Sequence, residues 1–573
     1  MVSYWLVSFL PSSWSPSPKN VRVHLWALSL PLLLFWVLYH QILYTWWTAD
    51  DPALLEYIHE VSPWHILVSK TRGLFYTPLQ PLSLGLDYYI FGLSPGGFYW
   101  HHLLSFSLLL LFAYGVLKQF FPPLLASMTI SLFIVSLPTA HVAHYLMLRH
   151  YIEGLGFALL ATWCYLRAVN LSQNSRSFWA IIGSLWYLGA CLAKEIYVPL
   201  PFILLTLPVC VFQQRLRQLL PFLITVVVYT GLRLYSVGWK DLFSSYPERS
   251  TQWQNLLHLP AMILEHMGWQ HSWQWLPWGA VMVILLGLVW QKRYSLGLPL
   301  VVWLIAVIGP LWPVLWRLIY LRYYLFIVVF LICLACSLVW SHLNSWFTSS
   351  PGRSLLINLW FFALLLINLL PTQVDQYWLH LDKQARQIQG EFLLYNQSRQ
   401  TVLLDEHYSA PNLLNVRKTV LGQFSGPKLC PVADCYCTWL YPGYTAWHYF
   451  NGQWQTQILS PEQCGKMVAL SLRVTLSSSS QVHWQLGPYT KSQGQYYVWV
   501  ANHEEDFNLQ VPPPPIPPQG TYTFTQKLVA PLKVLIKYQS SEGWVTYSPP
   551  LVIDSKQVNV QGVAEVNWQR SAQ

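Results

Sequence analysis

Charge is what this sequence has least of. Of its 573 residues only 10% are Asp, Glu, Lys or Arg, against about 25% in an ordinary soluble domain, and that scarcity excludes an ordinary soluble enzyme. Disorder is excluded as well, because 54% of the chain is hydrophobic and 16% aromatic. Residues 1–20 also lack a basic stretch ahead of an apolar core and a small-residue cleavage site, so they read as a retained cytoplasmic tail. What is present is long apolar runs, 32 Trp, 34 Tyr and a mean hydropathy of +0.35. That is the composition of a polytopic membrane protein with aromatic belts at its interfaces. The net charge of +10 is no sign of nucleic acid, since membrane proteins collect Lys and Arg through loop orientation.

Runs of roughly 17–25 apolar residues, each long enough to span, number about eleven. They lie near 24–44, 98–117, 122–139, 150–168, 177–193, 196–212, 219–236, 273–290, 295–312, 318–340 and 354–371. With a cytoplasmic N-terminus, the inner segments carry Lys19, Arg22, Lys118, Arg167, Arg176, Arg215, Arg217, Lys292, Arg293 and Arg353, and no acid. The positive-inside rule fits that orientation. The expected architecture is a cytoplasmic tail (1–23), a helical transmembrane domain (24–371) and a β-rich extracytoplasmic domain (372–573), in the periplasm or its equivalent.

Beyond Pro371 the long apolar runs stop. Alternating stretches such as VALSLRVTL (468–476) and LKVLIKY (532–538) predict half-buried strands. Four serines at 477–480, SSEG at 540–543 and PPPPIPP at 512–518 punctuate them as an all-β, sandwich-like module would. Cys430, Cys435, Cys437 and Cys464 cluster here. Their spacing lacks paired CxxC knuckles and the compartment is oxidising, so two disulfides of open pairing are favoured over a metal site.

Ionisable groups at a bilayer boundary are costly and point to function, and most of them gather on one face. Asp50 and Asp51 follow the Trp46–Trp47 belt. Asp51 precedes Pro52 and reads as a helix N-cap, whereas Asp50 has no such structural role. The same face holds His101 and His102, the stretch HVAHYLMLRHYIE (141–153) with His141, His144, Arg149 and Glu153, the pair Lys194–Glu195, and Arg233 and Arg322. Cations can hold a phosphate by charge-assisted bonds, and an acid can act as general base toward a hydroxyl. Together they suit group transfer from a lipid phosphate. Taken singly, the plain reading of each cation is snorkelling or pairing with Glu153 and Glu195. The histidines, His102 and His141 above all, leave a divalent-metal site open beside simple packing or hydrogen bonding.

Several of these segments, in order, resemble the C-type (GT-C) glycosyltransferase superfamily. They are the acidic pair Asp50–Asp51, FYTPLQPLSLGLDYYIFGLSPGGFYWHHLL (75–104), HVAHYLMLRHYIEG (141–154), LAKEIYVPLP (192–201), YTGLRLYSVG (229–238) and YLRYYLF (320–326). The nearest likeness is to the transmembrane O-mannosyltransferases that carry tetratricopeptide repeats, although this tail has no helical repeat of about 34 residues and Thr77 stands where the family usually has Arg. The resemblance implies an inverting transfer of a sugar from a polyprenyl-phosphate donor to an acceptor hydroxyl on a protein, lipid or glycan. In it Asp50 or Asp51 is the base, and Lys194, Arg233, Arg322 and Arg149 are candidates for the phosphate. It also implies a first outer loop, 53–92, that frames the cavity, with HILVSK (65–70) and 238–272 as lids. Metal use does not follow from it. The competing class is a transporter or flippase of a lipid-linked saccharide, whose charges would lie nearer the bilayer midplane.

Overall fold

The structure, a computed structural model, describes residues 18–239 apart from 49, 72–74, 171–172, 208 and 210. It also describes 279, 302, 322–347, and 351–569 apart from several stretches that include 431–440, 461–469, 503–514 and 554–564. The chain forms two compact units, Met1–Gln384 and Ala385–Gln573.

The first unit is helical. Helix α1 (Pro18–Tyr39) runs into a 3-10 turn, His40–Tyr44, and the loop that follows holds α2 (Asp51–Glu60), α3 (Pro63–Val68) and α4 (Leu79–Phe91). Then come α5 (Pro95–Leu117), α6 (Pro123–Ile134), α7 (Leu137–His144), the 3-10 turn Leu146–Leu148, α8 (Arg149–Asn170) and α9 (Gln173–Ala193). The turn Glu195–Tyr197, α10 (Leu200–Thr206), α11 (Phe212–Val237), the turn Arg322–Leu325, α12 (Phe326–Phe347) and α13 (Pro351–Tyr395) complete it. Proline occupies one of the first two positions of α2, α3, α5, α6 and α7. There its missing N–H has no partner to lose and its fixed φ suits the helix. Gly92 ends α4 at φ 58, a left-handed conformation that lets the chain turn sharply into α5.

Among the described residues five helical segments are long and apolar enough to cross a membrane: Val21–Tyr44, Pro95–Leu117, Leu146–Asn170, Phe212–Val237 and Arg322–Ser341. The pair α6–α7, bent by 67°, makes a sixth if counted as one span. The expectation of about eleven is not met among these residues. The stretches expected at 273–290 and 295–312, and most of the expected lid at 238–272, lie outside the described residues. Helix α9 opens on the polar run QNSRS. The run expected at 196–212 is broken near Pro199 and Pro201 into a 3-10 turn and a seven-residue helix.

The break between α6 and α7 follows from Pro138, which cannot continue a helix and would collide with the carbonyl four residues back. The carbonyls freed there find other donors. The Tyr39 hydroxyl donates to Ile134 O at 2.7 Å and the Thr372 hydroxyl to Val135 O at 2.8 Å. In hydrocarbon an unpaired carbonyl costs several kcal/mol, so these two hydroxyls make the bend tolerable. Around it Phe35 stacks on Phe106 at 4.7 Å and Phe133 packs on Phe326 at 5.1 Å.

The second unit takes in the end of α13 and continues with β1 (Thr401–Leu404), α14 (Ala410–Thr419), β2 (Lys428–Cys430), β3 (Thr445–Phe450) and β4 (Gln453–Ile458). Their sheet has the order β2-β1-β3-β4, with β1 parallel to both β2 and β3. The remaining strands are β5 (Ser471–Ser478), β6 (Gln481–Gly487), β7 (Gly494–Asn502), β8 (Gln519–Thr523), β9 (Leu532–Ser540), β10 (Val545–Tyr547), β11 (Leu551–Ile553) and β12 (Glu565–Gln569). They form two antiparallel sheets, β12-β5-β6-β8 and a second in which β9 pairs with β7, β10 and β11. The region is thus β-containing but not all-β. The parallel start was hidden because TVLL is buried at every position and shows no alternation. Cys430 is disulfide-bonded; Cys435, Cys437 and Cys464 lie outside the described residues.

Gly154 fixes how closely α8 approaches the turn after α9. A Cβ there would come within 2.3 Å of the Tyr197 ring, and that ring is held by its hydroxyl donating to Tyr151 O at 2.7 Å. Gly154→Ala should therefore destabilise the fold by roughly 1–3 kcal/mol through overpacking, read as a lowered thermal midpoint in detergent. An unchanged midpoint contradicts this packing.

Candidate functional site

A cavity of about 330 Å³ opens among the elements that follow α1, and Asp50, Phe75, Gln80, His150, Tyr151 and Lys194 are among its lining residues. Asp50 stands just before α2, Lys194 just after α9, and His150 and Tyr151 in the first turn of α8. The loop that closes the cavity is stitched in place. Thr77 N donates to Thr71 Oγ1 at 3.1 Å, Gln80 Nε2 to Met147 O at 2.6 Å, and the Tyr76 hydroxyl to Leu67 O at 2.8 Å. Ser236 Oγ donates to Val68 O at 3.0 Å. The 65–70 stretch, expected as a lid, is thus pinned by two hydroxyls.

The adjacent acids separate. Asp51 is buried and Asp50 only partly so. Asp51 Oδ2 accepts from Thr48 N and Oδ1 from Met147 N, each at 2.9 Å. The expectation that Asp51 caps α2 is corrected. Asp50 holds the cap position but its side chain does not cap the helix, and Asp51 is the first helical residue, reaching back to Thr48. Burial pushes the Asp51 carboxyl up to about 6, opposed by the two backbone N–H groups and by Lys383, and reinforced by the charge of Asp50. Lys383, which sequence reasoning missed, is fully buried. Its ammonium donates to the Tyr99 hydroxyl at 3.1 Å and to His144 O.

Lys194 is 6% exposed, and its ammonium lies 4.3 Å from the Phe75 ring centroid and 5.6 Å from that of Tyr151. Its carboxylate neighbour, Glu195 Oε1, is 3.7 Å away, beyond a good hydrogen bond. Burial lowers its pKa, Glu195 opposes that, and Arg233 adds to it. Arg233 is therefore near enough for its charge to be felt. Neither Arg233 nor Arg322 lines the cavity, although Tyr323 and Tyr324, which follow Arg322, do.

Arg149, expected at a phosphate, is not among the residues that line the cavity. Its guanidinium is 1% exposed and forms an ion pair with Asp87, a residue the sequence reading did not single out. Further Arg149 donors reach Phe98 O at 2.6 Å and Ser83 Oγ at 3.3 Å. His101 Nδ1 lies 2.6 Å from the other Asp87 oxygen, and Ser83 Oγ donates to Glu153 Oε1 at 2.6 Å. These groups answer one another internally and tie α4, α5 and α8 together.

His102 is buried with Nε2 donating to Val142 O at 3.1 Å, and the His141 ring packs on Tyr145 at 4.6 Å and Tyr323 at 6.0 Å. Among the described residues no three His, Cys, Asp or Glu side chains come together as a metal site. His150, within the recognised 141–153 stretch but not singled out there, lines the cavity and leaves Nδ1 buried without a partner.

No family model and no curated protein matches this chain. Among solved structures it is similar to ArnT from Cupriavidus metallidurans bound to undecaprenyl phosphate, at 14% identity over 76% of this chain and 93% of that one, with a TM-score of 0.43. The apo state of the same enzyme gives 14% identity, 75% and 93% coverage and a TM-score of 0.43. An oligosaccharyltransferase of Archaeoglobus fulgidus, tethered to an acceptor peptide, gives 13% identity over 72% of this chain and 65% of that one, with a TM-score of 0.40. Likeness of this degree fixes neither family nor activity.

The Asp51 environment has a pH signature. The carboxyl rises from 3.8 to about 6 on folding, so the folded state holds the proton more tightly. The stability this brings is present below the lower value and is lost as pH rises through the upper one. Thermal midpoints of wild type and Asp51→Asn, compared from about pH 4 to 6.5, should show wild type losing ground to the variant as pH rises. A constant difference contradicts the buried, proton-holding Asp51.

Proposed function

We propose that the first unit is an inverting membrane glycosyltransferase, moving a sugar from a polyprenyl-phosphate donor to an acceptor hydroxyl on the extracytoplasmic face. One observation carries the reading: Asp50 and the buried Lys194 line the same cavity. A carboxylate and a desolvated cation sharing one chamber supply the two things such a displacement needs. The first is a base at the entering oxygen, the second positive charge at the leaving one.

In the proposed reaction Asp50 accepts the proton of the acceptor hydroxyl while that oxygen forms its bond to the anomeric carbon. The bond from that carbon to the phosphate oxygen breaks, and its electron pair leaves on the lipid phosphate. Lys194 meets the charge that grows there, and Arg233 adds to the positive field. A single carboxylate suffices, because direct displacement needs no second one as nucleophile. Asp51 holds the backbone from which Asp50 projects. The Asp87–Arg149–His101 group supports the wall behind it. The protonation chemistry needs no cofactor in this scheme, and a divalent metal is not assigned to it.

Transfer of radiolabelled sugar from polyprenyl-phosphate donors, measured in membranes with matched expression, tests the proposal. Asp50→Asn should lower transfer by about 10²–10⁴-fold with donor binding kept. Lys194→Ala should weaken donor binding, and Lys194→Arg should restore part of it. Full activity in Asp50→Asn overturns the mechanism. Donor lipid crossing the bilayer without any transfer replaces it with translocation.

A further inference from the structure

A second cavity lies wholly within the second unit, and the proposed transfer reaction makes no use of it. It encloses about 880 Å³ and is lined by residues before β1 (Gln397, Arg399), on α14 (Arg417), before and in β2 (422–426, Lys428) and before β3 (Tyr444). The topology explains this gathering. Strands β1, β2 and β3 run parallel, so the segments entering all three meet at one edge of the sheet.

The floor is built rather than incidental. Helix α14 ends at Thr419, and at Gly422, with φ +64, the chain folds back over Arg417. That guanidinium is 2% exposed. Nη1 donates to Leu393 O at 2.8 Å and Leu394 O at 2.9 Å, and Nη2 to Ser425 O at 2.8 Å. A Cβ at Gly426 would sit 2.4 Å from its Cζ, so only glycine admits the loop this close. Two buried polar atoms of lining residues still have no hydrogen-bond partner: Arg417 Nε, a donor, and Gln423 Oε1, an acceptor. Three cations line the cavity, with no acid among its described lining residues. Phe424 stands 81% exposed beside them.

We propose that this cavity binds an anionic saccharide, a sugar carrying a phosphate or carboxylate. Arg399 and Lys428, both exposed at the cavity, ask for a negatively charged acceptor. An exposed aromatic face beside both fits the apolar C–H face of a sugar ring. A bare anion would leave Phe424 unused, and a neutral sugar would leave the cations unused.

Saturation-transfer NMR on the purified full chain tests this with glucose 6-phosphate, glucuronic acid, glucose and inorganic phosphate as probes. Both charged sugars should bind saturably and about tenfold more tightly than glucose or phosphate. Arg399→Ala combined with Lys428→Ala should lose about that factor, and Phe424→Ala should reduce transfer to the sugar protons. All three residues are at the rim, so folding is checked by an unchanged thermal midpoint. Equal binding of phosphate alone, binding untouched by these variants, or no binding of either charged sugar overturns the proposal. The readout is binding, so its outcome is independent of whether the first unit transfers sugar.

Discussion

The first unit depends on a single carboxylate that does not face its cavity. Asp51 joins Thr48 N, three residues before it, to Met147 N, 96 residues further along the chain. That bridge fastens the start of α2 to the turn leading into α8, and so sets the spacing between Asp50 on one side and His150 and Tyr151 on the other. A buried carboxylate is unfavourable unless it is hydrogen-bonded and offset by opposite charge. Two backbone N–H groups and Lys383 offset part of that cost here, and burial still raises the carboxyl to about 6. Lys383 in turn reaches the Tyr99 hydroxyl and His144 O, so α13 is tied to the same knot.

A second buried network does similar work behind the cavity. Asp87, Arg149 and His101 bring three helices together, and Ser83 links them to Glu153. Buried pairs of this kind contribute little net stability, but losing one partner strands the other at a cost of about 3–5 kcal/mol. Their value is in placement. With Arg149 engaged by Asp87, Lys194 is the cation among the cavity's described lining residues, and its charge rests against the faces of Phe75 and Tyr151.

Much of this was legible in the sequence, residue by residue. Pro52 at the start of α2 follows from local pattern, and the sequence singles out Asp50 and Lys194, which the fold brings to one cavity. The division between Asp50 and Asp51 was not legible, because the partner that buries Asp51 is Met147, far away in the chain. The Asp87–Arg149 pair was hidden for the same reason: Asp87 sits inside an apolar helix and pairs only once α4 meets α8. Lys383 lies beyond the last apolar run, where helix α13 continues through Pro371 although the composition changes. The parallel sheet at the start of the second unit escaped notice because a short, wholly buried strand has no periodicity to read.

The most direct measurement is an experimental structure of the full chain with a polyprenyl phosphate bound. The account predicts a phosphate oxygen about 3 Å from Lys194 Nζ, the Asp50 carboxylate opening onto the same chamber, and Asp51 still bridging Thr48 and Met147. A phosphate seated elsewhere, with Lys194 left against Glu195 and Phe75, would contradict it.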